Sequence, residues 1–352
     1  MFITERKTVK IKLTNRLARA GAASIMPAIL FMCPALSVAQ SKTSISGWLR
    51  VGAEYTYNET YSESFYRAKI QFETKIDDTF DAQVDIRGES DTHEMELREA
   101  FLTADLGKAI DLEFGHNKKR FGYEFQKSKE KLKTVDRTLL YQYLEPLGLV
   151  GRELNLRYHR KARPEVRQVG LSASLGYNEA NDFSLIGHLT RLNTLGSFAL
   201  GGSGTVKLDK IQDGTQTVWS TALEMVRDTD AHHVEIEGVL GVDPLASEVE
   251  KKVGAGKAVH FLGGKMLYAH RMKTSSRLFK AIEPVLVASF LARDLDAIGR
   301  NTISTLAGLN VYVAKNARVS MNVDLQLTST PADYSERSSV GSNGILQMEL
   351  QW

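Results

Sequence analysis

The chain has 352 residues, with 45 Lys/Arg against 42 Asp/Glu, a formal net charge of +3, 43% hydrophobic residues and a single cysteine, Cys33. Six Lys/Arg and one acid, Glu5, fall in the first 39 residues, so the rest of the chain carries about −2 and its bulk charge gives no reason to expect a nucleic-acid partner. Cys33 lies in the same leading segment, which excludes disulfide or thiolate chemistry from everything after it.

In chain order, Arg6, Lys7, Lys10, Lys12, Arg16 and Arg19 precede a mostly apolar stretch from Ala20 to Leu36, and Ser37-Val38-Ala39 has the small-x-small form of a cleavage site. This predicts a secretory signal peptide over 1–39 and a mature domain over 40–352. The alternative is an uncleaved anchor, but Pro27 and Pro34 interrupt a segment already short for a membrane-spanning helix. Met32, just before Cys33, is too bulky for a lipoprotein signal.

After residue 40 the sequence breaks into alternating segments separated by Gly, Asn, Asp and Ser clusters. The predicted strands are 44–57, 65–76, 80–89, 94–106, 110–117, 151–161, 166–178, 182–193, 197–208, 215–227, 231–241, 257–271, 277–291, 300–314, 317–328 and 343–352. In the clearest one, Val319, Met321, Val323, Leu325 and Leu327 share a face opposite Arg318, Ser320, Asn322, Asp324 and Gln326. Asp77-Asp78 marks a tight hairpin between the second and third strands. About sixteen strands of this length predict an all-β, antiparallel transmembrane barrel, closed because lipid cannot satisfy an open sheet edge. A soluble β-sandwich shares the alternation, but the chain ends on an apolar-face aromatic, Trp352. Trp48, Tyr55, Tyr57, Tyr141, Tyr143, Tyr158, Tyr177 and Tyr312 near strand ends are candidates for an interfacial belt.

The longest break in the pattern runs from Lys118 to about Val150, between the fifth and sixth strands. Residues 118–137 hold eight bases, Lys118, Lys119, Arg120, Lys127, Lys129, Lys131, Lys133 and Arg137, against Glu124, Glu130 and Asp136. Phe121, Tyr123, Phe125, Leu132 and Val135 are available to anchor the loop. Folded into the lumen, such a loop would line a constriction with positive charge and favour anions. Left outside, its lysines would be solvated or would contact lipopolysaccharide.

Several motifs carry a family resemblance. Tyr66-Arg67-Ala68-Lys69, Glu96-Leu97-Arg98-Glu99-Ala100-Phe101-Leu102, the run from Phe114 through Lys118-Lys119-Arg120 to Glu124, Val135-Asp136-Arg137-Thr138-Leu139, Gly308 to Tyr312 and Leu346 to Trp352 resemble, in order and spacing, the phosphate-selective porin O and P family. That resemblance implies a sixteen-stranded outer-membrane barrel, often trimeric, whose third loop folds inward and whose pore is lined with basic residues that pass phosphate or polyphosphate. It puts Arg67, Lys69 and Arg98 on lumen-facing strand positions and Lys118 at the start of the loop. The sequence departs from the family at His116 and Asn117, where Gln and an aromatic are usual, and at Arg120, which replaces Pro. Glu73, Asp81, Asp85, Glu96, Asp111, Glu113 and Glu153 also fall on candidate lumen positions. An interior of mixed sign favours a general, anion-leaning porin over a dedicated phosphate channel.

No enzymatic motif is complete. Gly254-Ala255-Gly256-Lys257 lacks the earlier glycine and the Ser/Thr of a phosphate loop, and His93-Glu94-Met95-Glu96 lacks a second histidine. His232 and His233, adjacent on a strand, point to opposite faces. Asn58-Glu59-Thr60 reads as a hairpin loop. Neither a cofactor nor a metal is expected. The predicted function is passive diffusion of small, preferentially anionic solutes; the alternative is a structural or interaction barrel with a plugged lumen. Ser184, Ile186, His188 and Thr190, followed by Ser197, Ala199 and Gly201, are small or weakly polar on a candidate inner face and favour an open pore. Trp352 is the candidate signal for the barrel assembly machinery. The partners expected are outer-membrane lipid and lipopolysaccharide, small anions and two further copies of the chain.

Overall fold

The computed structural model describes residues 42–56, 62–90, 94–107, 109–163, 169–177, 183–195, 197–211, 214–252, 258–295, 301–329 and 339–352. The expected signal peptide, Tyr57, the Asn58 loop, His93 and the Gly254 turn lie outside the described residues. The strands are β1 (Lys42–Thr56), β2 (Ser62–Lys75), β3 (Phe80–Glu89), β4 (Glu94–Asp105), β5 (Ile110–Lys118), β6 (Arg152–Arg160), β7 (Gly170–Tyr177), β8 (Phe183–Leu195), β9 (Phe198–Ile211), β10 (Gly214–Asp228), β11 (His232–Asp243), β12 (Val259–His270), β13 (Met272–Lys273), β14 (Ala281–Ala292), β15 (Asn301–Ala314), β16 (Ala317–Thr328) and β17 (Ser339–Gln351). The two-residue β13 continues β12 past Arg271, so the wall is a sixteen-stranded barrel, as the alternation predicts.

Each strand pairs antiparallel with its neighbours around the wall, β14 taking both β12 and its continuation β13, and β1 pairs with β17 from Trp48↔Gln351 to Thr56↔Asn343. That last pairing closes the sheet and leaves no edge for lipid to solvate. The turn between β2 and β3 is built as its acids suggest: Asp77 Oδ1 accepts from the backbone N–H of Thr79 and of Phe80, each at 2.7 Å. Turns at this end, such as those after β2, β4, β10 and β15, are short, which marks it as the periplasmic end of an outer-membrane-type barrel.

Alternation sorts the side chains between two solvents. Outward positions carry exposed apolar residues, among them Leu49, Leu156, Leu185, Leu286, Met321 and Met348, while inward positions carry Arg50, Asp85, Glu113, Arg157, Glu235, Glu283 and Glu349. A register shift on β4 leaves Arg98 as an extra residue between the pairs Asp85↔Glu99 and Ile86↔Leu97. Through this bulge Glu96, Arg98 and Glu99 all reach the lumen while Leu97 and Leu102 face outward.

Trp352 and Gly47 exchange backbone hydrogen bonds, each at 3.1 Å, at the β1–β17 seam. The indole covers Gly47 so closely that a Cβ there would sit 2.8 Å from a ring carbon. The aromatic belt needs correcting. Tyr55, Tyr158 and Tyr177 face outward, but Trp48 points inward beneath Arg50 and Arg87, Tyr312 bonds inward to Glu283, and Tyr141 and Tyr143 belong to the luminal loop.

Gly47→Leu should keep the strand sequence yet block the Trp352 seam. A lower fraction of heat-modifiable, folded barrel on a cold gel is the expected outcome, checked against Gly88→Leu, where a new Cβ meets nothing closer than 3.9 Å.

Candidate functional site: the luminal loop and its passage

The segment between β5 and β6 forms a short helix α1 (Tyr123–Gln126), a 3₁₀ turn (Lys129–Lys131) and a helix α2 (Leu139–Leu144). It lies inside the barrel, because its side chains bond to inward residues of distant strands. Lys133 pairs with Glu283 on β14 at 3.0 Å, Arg318 on β16 donates to the Leu132 carbonyl at 2.8 Å, and Tyr143 donates to Asp243 at the end of β11 at 2.5 Å. Of the two placements the sequence leaves open, the loop takes the inward one.

An apolar core holds it there. Phe121, Phe125, Leu139, Leu140, Tyr141, Leu144, Leu147, Leu149 and Val150 cluster with Ile186, Val218, Ala222, Val239, Val242, Phe261 and Leu291 of the wall. Burying each large side chain contributes about 1.5–3 kcal/mol, whereas an ion pair open to luminal water contributes about 0–1 kcal/mol. The apolar contacts therefore dominate the anchoring. The small inner residues of β8 and β9 do not leave an open pore, because the loop fills their space: Ile186 joins the core and the Gly122 N–H donates to Ser203 Oγ at 2.9 Å.

Beneath that core lies a buried ionic node. The amine of Lys265 on β12 donates to Glu124 of α1 at 2.5 Å and to Glu235 on β11 at 3.1 Å, and Glu237 lies 3.7 Å away. Glu124 also accepts from the Thr138 N–H and hydroxyl, both at 2.8 Å. Lys127 reaches the same node through Glu235, and Tyr141 donates to Glu237. His233 faces this interior, 2.6 Å from Glu235, while His232 faces outward against Tyr268 and His270, so the two histidines do point to opposite faces.

Besides a cavity of about 690 Å³ at the β10–β15 mouth, free space lies beside the loop on the β1–β5 side. A cavity of about 310 Å³ is lined there by seven Lys/Arg, including Lys69, Arg87, Arg98, Lys118 and Lys129, against five Asp/Glu. A second, of about 540 Å³, is lined by Gln71, Gln83, Glu99, Lys127, Lys131 and Thr190 among others. Lys69, Lys118, Ser128 and Glu130 line both, so these four residues mark where the two cavities meet.

The predicted basic residues separate into distinct environments. Arg67 lies near Glu89 and Asp136, each at 3.7 Å; Lys69 lies between Asp85 at 3.1 Å and Glu130 at 3.8 Å; Arg98 pairs with Glu96 at 3.0 Å. Lys118 donates to the Lys127 carbonyl at 3.3 Å, and Arg120 pairs with Glu113 at 3.0 Å. Lys119 is buried at the base of the loop, 3.1 Å from Glu153 and 2.9 Å from the Gly148 carbonyl, away from both cavities. Lys127 and Lys133 are tied to Glu235 and Glu283, and Lys129 to Asp136 at 3.0 Å. Lys131 is exposed and makes no ion pair among the described residues. The local +5 of the loop is thus mostly matched by carboxylates, several of them on strands far away in sequence.

Burial would raise the Asp136 carboxyl, but the Lys129 amine, the Arg137 backbone N–H and Arg67 outweigh it and hold the group down to about 2. Burial lowers the Lys127 and Lys129 amines, and Glu235 and Asp136 respectively oppose that shift. Burial would likewise raise Glu130, yet Lys69 and the hydrogen bonds at its own turn bring it below the usual carboxylate range.

No protein-family model matches the sequence, and no curated protein matches it. The fold is similar to that of solved outer-membrane barrels. The channel DcaP of Acinetobacter baumannii is 13% identical with a TM-score of 0.63, covering 90% of this chain and 99% of its own. An anion-selective porin from Comamonas acidovorans is 7% identical with a TM-score of 0.61 over 89% of this chain and 100% of its own. A trimer form of the outer membrane protein OmpT of Vibrio cholerae is 12% identical with a TM-score of 0.60 over 89% and 99%.

Lys265→Met should leave three buried carboxylates without their common cation and destabilise the loop by roughly 3–5 kcal/mol, the scale of breaking a buried pair. The expected readouts are a lower urea midpoint and faster proteolysis within 119–150. Because the folded Asp136 carboxyl is depressed, its contribution is complete above its unfolded value near 4 and is lost as pH falls toward about 2. Protease protection of the loop should therefore persist from pH 7 to pH 4.

Proposed function

We propose that the protein is a porin of the bacterial outer membrane, a water-filled channel through which small solutes diffuse down their gradients. The observation that carries this reading is the pair of polar cavities meeting at Lys69, Lys118, Ser128 and Glu130, inside a barrel whose exterior is apolar. The excess of bases around the smaller cavity supports a lean toward anions, and inorganic phosphate is among the solutes the channel would pass. The lean is moderate, because Lys69 is shared between Asp85 and Glu130 and Arg98 stands beside Glu96. Residues 1–39 direct export, Trp352 is the contact read by the barrel assembly machinery, and lipopolysaccharide surrounds the outer half of the wall. The trimer form of the Vibrio cholerae protein supports a homotrimer for this chain as well.

One observation favours a second reading. The apolar core of the loop occupies the β8–β14 side of the lumen, and a barrel plugged there would serve as a scaffold instead of a channel. Single-channel recording of the folded protein in a planar bilayer under a KCl gradient separates the two. Discrete conductance with an anion-leaning reversal potential is expected; a folded barrel without conductance would establish the scaffold.

Selectivity should depend on the residues at the meeting point and on Lys131, which lines the larger cavity beside it. Glu130→Gln should raise the anion-to-cation permeability ratio and Lys69→Gln or Lys131→Gln should lower it, each by roughly two- to fivefold, the range a water-exposed charge worth about 0.5–1 kcal/mol gives. Lys119→Gln should instead reduce stability by stranding Glu153, with little change in the ratio.

A further inference from the structure

The outer wall carries a feature that the passage does not use. Arg160 on β6, Arg191 on β8 and Arg227 on β10 each fall in the outward alternation of their strands, toward the short-turn end. Arg160 has Ile110 and Leu171 as cross-strand partners, Arg191 has Leu200, and Arg227 has Phe198 and Val234, so each emerges from an apolar surface. The Arg227 guanidinium lies 5.6 Å from the Phe198 ring centroid. An outward Arg is costly at the middle of a bilayer and tolerated near its interface, where the head group reaches polar lipid.

Neither Arg160 nor Arg227 forms an ion pair among the described residues, and the Nε of each has no hydrogen-bond partner there. The acids that follow Arg227 in the chain point away from it. Asp228 turns toward the lumen, 3.1 Å from His233 Nδ1, and Asp230 lines the periplasmic mouth. Standing on alternate strands, the three guanidiniums are spaced roughly 10 Å apart along the wall. The rim of β2–β5 differs, with Asp77 and Asp78 in one turn, Asp78 paired to Lys75 at 2.9 Å, and Asp105 closing β4.

We propose that Arg160, Arg191 and Arg227 form a docking arc for the anionic phospholipid headgroups of the periplasmic leaflet. The guanidinium fork matches phosphodiester oxygens and remains charged at every physiological pH. A negatively charged leaflet adds to the attraction of each Arg near its surface. The proposal rests on the outer-membrane reading of the barrel and fixes which sector of the wall faces lipid.

The test reconstitutes the full folded chain in phosphatidylcholine vesicles with and without 30% phosphatidylglycerol and measures the heat-unfolding midpoint. A midpoint several degrees higher with phosphatidylglycerol is expected for the wild type. Arg160→Gln/Arg191→Gln/Arg227→Gln should lose that difference, while the triple Arg→Lys variant retains most of it. No lipid preference in the wild type, or an undiminished one in the triple Gln variant, overturns the proposal. So does an equal rise produced by inorganic phosphate added to pure phosphatidylcholine vesicles, because a free oxyanion would then suffice. Should the triple Gln variant not fold, Arg160→Gln alone should lose about a third of the difference, and no loss overturns the proposal. Conductance recorded on the same samples keeps the readings apart, since a wild type that prefers phosphatidylglycerol but does not conduct removes the porin and leaves the lipid arc standing.

Discussion

The internal arrangement depends on one contact: the apolar side of a long loop seated against an apolar strip of the inner wall. A lumen lined only by charge would leave that loop in water. Ile186, Val218, Val239, Phe261 and Leu291 occupy inward positions that alternation alone would assign to polar residues, and they give Phe121, Phe125, Leu140 and Leu144 something to bury against. Lys265 and its carboxylates then fix the orientation of what the apolar contact holds. Hydrophobic burial supplies the affinity and the ionic node the register.

With the loop filling the β8–β14 side, the space beside it lies toward β1–β5, and the charge that a solute there would meet is set by the residues lining it. The loop's bases are numerous, but most are drawn to wall carboxylates that the fold places opposite them, such as Glu113, Glu153, Glu235 and Glu283. What lines the smaller cavity is Lys69, Arg87 and Arg98 of β2–β4, interleaved with Asp85 and Glu89, opposite Glu130 and Asp136 of the loop. Charge density counted along the sequence is therefore a poor measure of the field a solute meets.

Most of the wall was legible because the period-2 pattern follows from two solvents, lipid outside and water inside. Residues 317–328 display it fully, and the barrel strands there and elsewhere match the segments read from alternation to within a few residues. The pattern blurs where a strand is apolar on both faces, as in Ala281–Ala292 or Val259–His270, and that loss was itself a signal of something packed inside. The inward Trp48 and the luminal Tyr141 and Tyr143 were misread as belt residues because position near a strand end says nothing of which side of the wall a ring takes. Ion-pair partners were illegible for a different reason: Lys265 and Glu124 are 141 residues apart, and only closure of the barrel makes them neighbours.

At the root of the loop, Gly122 adopts a positive φ of 68°, and a side chain there would collide with the Tyr141 hydroxyl and the Glu237 carboxylate. Its backbone N–H is tied to Ser203 and that of Tyr123 to Glu237. A loop fastened this tightly at its root has little freedom to swing, so the aperture is a fixed dimension of the molecule. Flux through such an aperture would scale with the mobility of the solute in confined water: warming would speed permeation no more than it thins the solvent, and size and drag, instead of the opening of a door, would discriminate between solutes.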